Sequence, residues 1–344
     1  MRINWVARKD INKDLVNDLL EKCIESRHFT NFGKNVLMLE NYLHKVLKID
    51  DDKKVLMVCN GACAINALVA TLFDVYKKEL RFAVQAFTFP CSKQLLLKDS
   101  IVMDIDENMG PSIKMLEERK NDYDAVLITN CFGCCVDINK YVDFCKDNNK
   151  ILICDNAASP YTFYKGKNIS NYGIGSVISL HHTKPIGFGE GGAIIINKEY
   201  YDVAKKMINF GYSNNNRYNY DIYASNYKMS EINAIYIYQW LLNLDKIINK
   251  YNMLYQYFIS KYKGNIYKSY SDDIFIPATI PVILNKDLKY FHEKGIDAKK
   301  YYYPLIDCVN AKNIFDHIIC FPINLDMTID DIDYIIDIIN DKYQ

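Results

Sequence analysis

Seven short and almost wholly apolar runs in the first two thirds of the chain constrain its fold more than any other feature. They cover residues 54–60 (KVLMVCN), 81–87 (RFAVQAF), 100–106 (SIVMDID), 124–130 (DAVLITN), 150–155 (KILICD), 175–181 (GSVISLH) and 191–197 (GGAIIIN). A run that is apolar at nearly every position is buried on both faces, which is the condition of a parallel strand covered by helices. Helical periodicity between the runs, as in INALVATLFDVYKKEL and DINKYVDFCKDNN, supplies those covers. The pattern predicts an α/β architecture, a seven-stranded mostly parallel sheet sandwiched by helices. Only nine residues separate the sixth run from the seventh. A parallel crossover needs a dozen or more, so the seventh strand is expected to run antiparallel to its predecessor.

From Ser225 the texture changes to long helical periodicity, followed by short strand-like runs around IFIPATIPVIL and a closing amphipathic helix, TIDDIDYIIDIIN. These features predict a large domain over residues 1–235 and a smaller C-terminal α+β domain over 236–344. The stretch SNNNRYNYD, residues 213–221, reads as a polar loop.

Composition narrows the function classes. Forty-two Lys and Arg balance forty-two Asp and Glu, which leaves no basic excess for nucleic acid or an anionic membrane. No leader-like segment and no bilayer-length apolar run occurs, so a soluble, cytoplasmic protein is expected. Eleven cysteines, an odd number in a long chain, are expected as reduced thiols. Cys131 and Cys134 form a C-x-x-C, but no second pair follows at metal spacing, and no metal site is expected.

In an open parallel sheet, ligands bind outside the carboxyl ends of the strands. The first run ends in a glycine turn, Gly61, that leads into a helix whose Ala62 and Cys63 amides suit a phosphate. The second is followed by an aromatic, Phe89, and the fifth ends in Asp155. The sixth ends in Ser179 and His181 and leads directly to Lys184, which is set between a His-His-Thr run and a glycine cluster. Taken singly, each has an ordinary reading as a helix cap, a core ring or a turn. Together a phosphate nest, an aromatic plate, an acid and a lysine meet the needs of pyridoxal 5′-phosphate, in which a lysine forms a Schiff base and an acid keeps the pyridine nitrogen protonated.

Here the sequence resembles the pyridoxal-phosphate-dependent nucleotide-sugar aminotransferases of the DegT/DnrJ/StrS family, which have the aspartate aminotransferase fold. SLHHTK followed by GEGG carries Ser179, His181, Thr183, Lys184 and Glu190, and the stretches FTNFGKNVLMLENYL, AFTFPCS, NCFGCCVDI and SNYKMSEINA resemble further motifs of the family along nearly the whole chain. The resemblance implies that Lys184 is the Schiff-base lysine, Asp155 the pyridine partner and Phe89 the stacking ring. It implies that Gly61, Ala62, Cys63 and Ser179 hold the phosphate, with His181 beside the cofactor. Asn226 would reach the phosphate of a neighbouring subunit, which implies a homodimer with shared sites. Thr30, Asn31, Phe32, Gly33, His182 and Tyr303 are expected near the substrate. The chain departs from the family at Ala62, Ala158, Lys228 and Asp307, where Thr, Gln or His, Arg and His are usual.

The activity so implied moves an amino group from an amino acid, glutamate in most of the family, to a nucleoside-diphosphate 4-keto-6-deoxyhexose. The product would be a 4-amino-4,6-dideoxy sugar of the viosamine or perosamine kind. Amination at C3 of a 3-keto sugar uses the same apparatus. A non-catalytic cofactor-binding sensor and a sugar dehydrase are further alternatives, although the dehydrases replace with His the lysine that is present here as Lys184.

Overall fold

The computed structural model describes residues 2–212, 218–272 and 275–341; residues 213–217 of the polar stretch read above as a loop lie outside them. Seven strands form the main sheet: β1 (Lys53–Val58), β2 (Phe82–Gln85), β3 (Ile101–Met103), β4 (Ala125–Thr129), β5 (Ile151–Asp155), then, after a two-residue hairpin of β6 (Phe163–Tyr164) and β7 (Lys167–Asn168), β8 (Gly175–Ser179) and β9 (Gly192–Asn197). Their spatial order is β1-β9-β8-β5-β4-β2-β3. The five strands from β3 to β8 are parallel, whereas β9 pairs antiparallel with β8 and with β1. The short link after β8 therefore has the consequence expected of it, a reversal of strand direction.

Side chains alternate across this end of the sheet. Leu56 and Val58 of β1 and Ile194 and Ile196 of β9 belong to one core, which includes Leu68 and Leu72 of the helix Gly61–Tyr76. Val55, Met57, Ala193 and Ile195 belong to a second core, which includes Leu39 and Leu43 of the helix Lys34–Val46 and Ile237 of the helix Glu231–Leu241. The period of two in these strands thus puts one apolar layer on each face, and helices close both. A separate three-stranded antiparallel sheet, β10 (Asn265–Ile266), β11 (Ile280–Ile283) and β12 (Ile318–Phe321), lies C-terminal to the main one. Ile3, near the start of the chain, forms a parallel bridge with Ile296, so the N-terminal segment is tied to this C-terminal part. No helix among the described residues is long and apolar enough to cross a membrane.

The segment Thr30–Gly33 enters the fold through a buried acid. Glu231, 1% exposed, accepts hydrogen bonds from the Asn35 and Val36 amides at 2.7 and 3.2 Å. A carboxylate there satisfies two of the free donors at the start of the helix Lys34–Val46 and complements its dipole. Gly33 makes room for it, because a Cβ at this position would lie 2.4 Å from the Glu231 carboxyl carbon. Glu231→Ala leaves the two amides without a partner, and we expect a loss of about 1–3 kcal/mol of stability. The check is a urea transition, and an unchanged midpoint would show that the acid does not hold this helix.

Candidate active site

The carboxyl ends of the parallel strands open into a cavity of about 520 Å³. Its lining includes Gly61, Ala62, Phe89, Asp155, Ser179, His181 and Lys184, residues that lie far apart in sequence and that the sheet brings to one rim. The place of each follows from the local fold. Asp155 is the last residue of β5 and Ser179 the last of β8, while Gly61 opens the helix after β1. The antiparallel β9 sets the glycine turn beside Ser179: its first residue, Gly192, lies so close that a Cβ there would be 2.5 Å from the Asn60 carbonyl carbon. Phe89 is 54% exposed at the mouth, with its ring edge-on to Tyr302 at 6.5 Å.

Two ionisable groups dominate the electrostatics. Asp155, 2% exposed, is pushed above the usual carboxylate range by burial, opposed by a hydrogen bond from the Ala157 amide at 3.0 Å and by the positive charge of Lys184. Burial lowers the pKa of Lys184 from the ordinary lysine value, opposed mainly by Asp155. Each group is thus shifted toward its neutral form and restrained by the other. The lip of the cavity carries a further pair, with His181 Nε2 3.5 Å from Glu190 Oε1. The Thr183 amide donates to His181 Nδ1 at 3.2 Å, which leaves Nε2 as the protonated nitrogen of the neutral ring, facing the acid.

Other candidates lie elsewhere. Cys63 does not line the cavity: its amide donates to the Asn60 side-chain oxygen at 2.9 Å, and its thiol hydrogen-bonds the Cys59 sulfur. His182 packs edge-on against Phe188, and the exposed Tyr303 packs edge-on against Phe315. Thr30, Asn31, Phe32 and Gly33 are not among the lining residues, and Asn226 is exposed on a bridge with Asn209. In their place the cavity is walled by Trp5, Cys91, Thr129, Phe132, Thr279, Tyr301 and Tyr302. Trp5 comes from the extended N-terminal segment and packs against Tyr301 at 6.1 Å. Nothing in the sequence marked it, whereas Tyr301 and Tyr302 directly precede Tyr303, which the family resemblance did mark. The C-x-x-C sulfurs, Cys131 and Cys134, are buried free thiols, and burial raises the pKa of Cys134 to about 12.

A buried lysine whose pKa is lowered, beside a buried acid at a rim with helix amides and a serine, is the arrangement that carbonyl–amine chemistry calls for. The chain belongs to the DegT/DnrJ/EryC1/StrS aminotransferase family, whose model matches residues 10–273. Two similar proteins are the dTDP-4-amino-4,6-dideoxy-D-glucose transaminase of Shigella dysenteriae, 26% identical with 94% of both chains covered, and the GDP-perosamine synthase of Vibrio cholerae, 24% identical with 83% of this chain and 81% of that one covered. Among solved structures, the E. coli GDP-4-keto-6-deoxy-D-mannose-3-dehydratase with bound hydrated PLP matches in fold with a TM-score of 0.82, at 18% identity over 99% of this chain and all of that one. The protein is therefore an enzyme, an aminotransferase whose cofactor is pyridoxal 5′-phosphate. The cavity fits that group, since a buried carboxylate raised by desolvation is relieved by a cationic ring nitrogen, and the unmatched amides at the start of a helix suit a phosphate.

The mutual restraint of the two ionisable groups has a measurable sign. Asp155 raises the Lys184 pKa, so Asp155→Asn is expected to lower it further and to increase the free-amine fraction at a given pH. The pH profile of Lys184 acetylation in cofactor-free protein, read by mass spectrometry, gives the value. An unchanged or raised profile would mean that the two groups do not sense each other.

Proposed function

We propose that the protein transfers an amino group from an amino acid, glutamate by family resemblance, to a nucleoside-diphosphate 4-keto-6-deoxyhexose, forming a 4-amino-4,6-dideoxy sugar nucleotide. The observation that carries the reading is the convergence of Lys184 and Asp155 on one cavity in a chain of this aminotransferase family. The preference for C4 rests on the activities of the two relatives, one a 4-amino-4,6-dideoxyglucose nucleotide transaminase and the other a GDP-perosamine synthase.

When bound, pyridoxal phosphate supplies an electron sink that stabilises negative charge at the carbon bearing the amino group. In our reading Asp155 holds its ring nitrogen in the protonated form. The Ala62 amide and the Ser179 hydroxyl would hold its phosphate, and Phe89 would cover the ring. Lys184 then acts as the base that takes the proton from the donor carbon and returns it to the acceptor, a role that suits an amine biased by burial toward its unprotonated form. Trp5, Tyr301 and Tyr302 wall the space around these groups with aromatic surface. Because Asn226 and the Thr30–Gly33 segment do not line the cavity of their own chain, we assign them to the cavity of a second copy, in a homodimer with shared sites. Asn31 and Phe32 both have a left-handed backbone, φ 63° in each, which is ordinary for asparagine but uncommon for a bulky residue such as Phe32, and a segment kept for a contact of this kind suits it.

Incubation with glutamate and a panel of keto-sugar nucleotides, followed by NMR, is expected to locate a new C–N bond at C4. Lys184→Ala is expected to lower the rate by roughly 10²- to 10⁴-fold. A bond at C3 would select the other regiochemistry, and no turnover with any keto sugar would overturn the substrate class.

The shared site is tested by mixing. If Asn226→Ala and Lys184→Ala are each inactive, a mixed dimer has one doubly damaged site and one intact site. Random assembly makes about half the dimers mixed, so activity returns to about a quarter of wild type. Mixed dimers without any recovery would place Asn226 in the service of its own chain.

A further inference from the structure

We propose that Lys9, in the extended segment ahead of the first helix, is a positioning residue for the reaction: its ammonium fixes the turn at residues 182–187 and so fixes where the Lys184 amine stands. The inference rests on Lys184 being the lysine that carries the cofactor. Lys9 Nζ donates to three carbonyl oxygens, those of His182 at 2.7 Å, Lys184 at 2.7 Å and Gly187 at 2.5 Å. An ammonium has three N–H bonds and no acceptor, so its hydrogen-bonding capacity is filled by one turn. A fourth carbonyl of the same turn, that of Pro185, accepts from Trp240 Nε1 at 3.0 Å, and the Lys9 ammonium stands 5.2 Å from the centre of the Trp240 ring. Four of the six carbonyls from 182 to 187 are therefore held by side chains from two other parts of the chain.

The arrangement is costly without a reason. Carbonyl oxygens that converge on one point repel one another, and a half-buried ammonium is itself penalised, enough here for burial to pull Lys9 down to about 7. Each cost offsets the other only while both partners are in place. Without Lys9 the carbonyls of His182 and Gly187 lose this donor and that of Lys184 keeps the Gly187 amide at 3.1 Å, so the backbone around Lys184 is freer to turn toward water. Since a misplacement of about 1 Å at a reacting group costs about 10²-fold in rate, a lock on this backbone bears directly on turnover. The contact also ties the N-terminal segment that brings Trp5 to the cavity wall to the turn that carries Lys184.

The test compares wild type with Lys9→Met, which keeps the apolar stem and removes every donor, and with Lys9→Gln, a neutral donor less hazardous to folding. Hydrogen exchange is followed by mass spectrometry on holoenzyme and on cofactor-free protein. The peptide spanning 180–190 is expected to exchange at least about tenfold faster in Lys9→Met and by a smaller factor in Lys9→Gln, while the β4 peptide is unchanged. With glutamate as donor, kcat is expected to fall about 10²-fold with KM within about twofold. Exchange does not depend on the donor, so a wrong substrate assignment leaves this readout intact. A folded variant with wild-type exchange at the turn overturns the proposal, as does an even rise in exchange throughout the molecule, which would make Lys9 a general stabiliser. If Lys9→Met does not fold, Lys9→Gln decides by the same readouts, and failure of both to fold also contradicts a positioning role.

Discussion

Opposite charges at the carboxyl ends of β5 and β8, a carboxylate at Asp155 and an amine just beyond Ser179, are the constraint around which the rest of the structure is arranged. Neither group is in its preferred medium. Burial raises the acid and lowers the amine, and the attraction between them only moderates both shifts. A protein selected for stability alone would place an apolar pair there, because a buried ion pair seldom recovers its desolvation cost. Such a cost is typical of functional sites, and under the proposed function a cationic ring nitrogen would relieve the acid and an unprotonated lysine would be the reactive species.

The sheet makes that arrangement available. Parallel strands present all their carboxyl ends on one edge, so β4, β5 and β8 deliver Thr129, Asp155 and Ser179 to a single rim. The antiparallel β9 performs a second task. By returning beside β1 it brings Gly192 against Asn60, and the helix that begins there borders the same cavity with Gly61 and Ala62. The short link between β8 and β9 carries the lysine turn, which has backbone bonds of its own, from the Lys184 amide to the His181 carbonyl and from the Gly187 amide to the Lys184 carbonyl, and further carbonyls open to other donors. Lys9 and Trp240 supply those donors from outside.

The sequence displayed most of the scaffold. Unbroken apolar runs fix strands buried on both faces, and the nine-residue gap before residue 191 fixes the reversal of the last strand, because chain length alone forbids a crossover. Asp155, Ser179 and Lys184 were legible for a related reason: each directly follows or ends a run whose direction is known. Trp5 and Lys9 were not legible. Both lie in an extended segment without periodicity, and they reach the site through a tertiary path that no local pattern encodes, a bridge from Ile3 to Ile296 and a side chain that crosses to residue 184. The T-N-x-G segment shows the converse. Its sequence resemblance pointed to substrate, while in its own chain the visible role of Gly33 is to admit the Glu231 carboxylate at the start of a helix.

The central claim is that Lys184 is the residue to which the cofactor becomes covalently attached. Its most direct test is borohydride reduction of the protein saturated with pyridoxal phosphate, followed by digestion and mapping of the pyridoxyl mass. The account predicts one modified residue per chain, Lys184, with loss of the visible absorption band. A label distributed over surface lysines, or fixed on any residue outside the cavity, would contradict it.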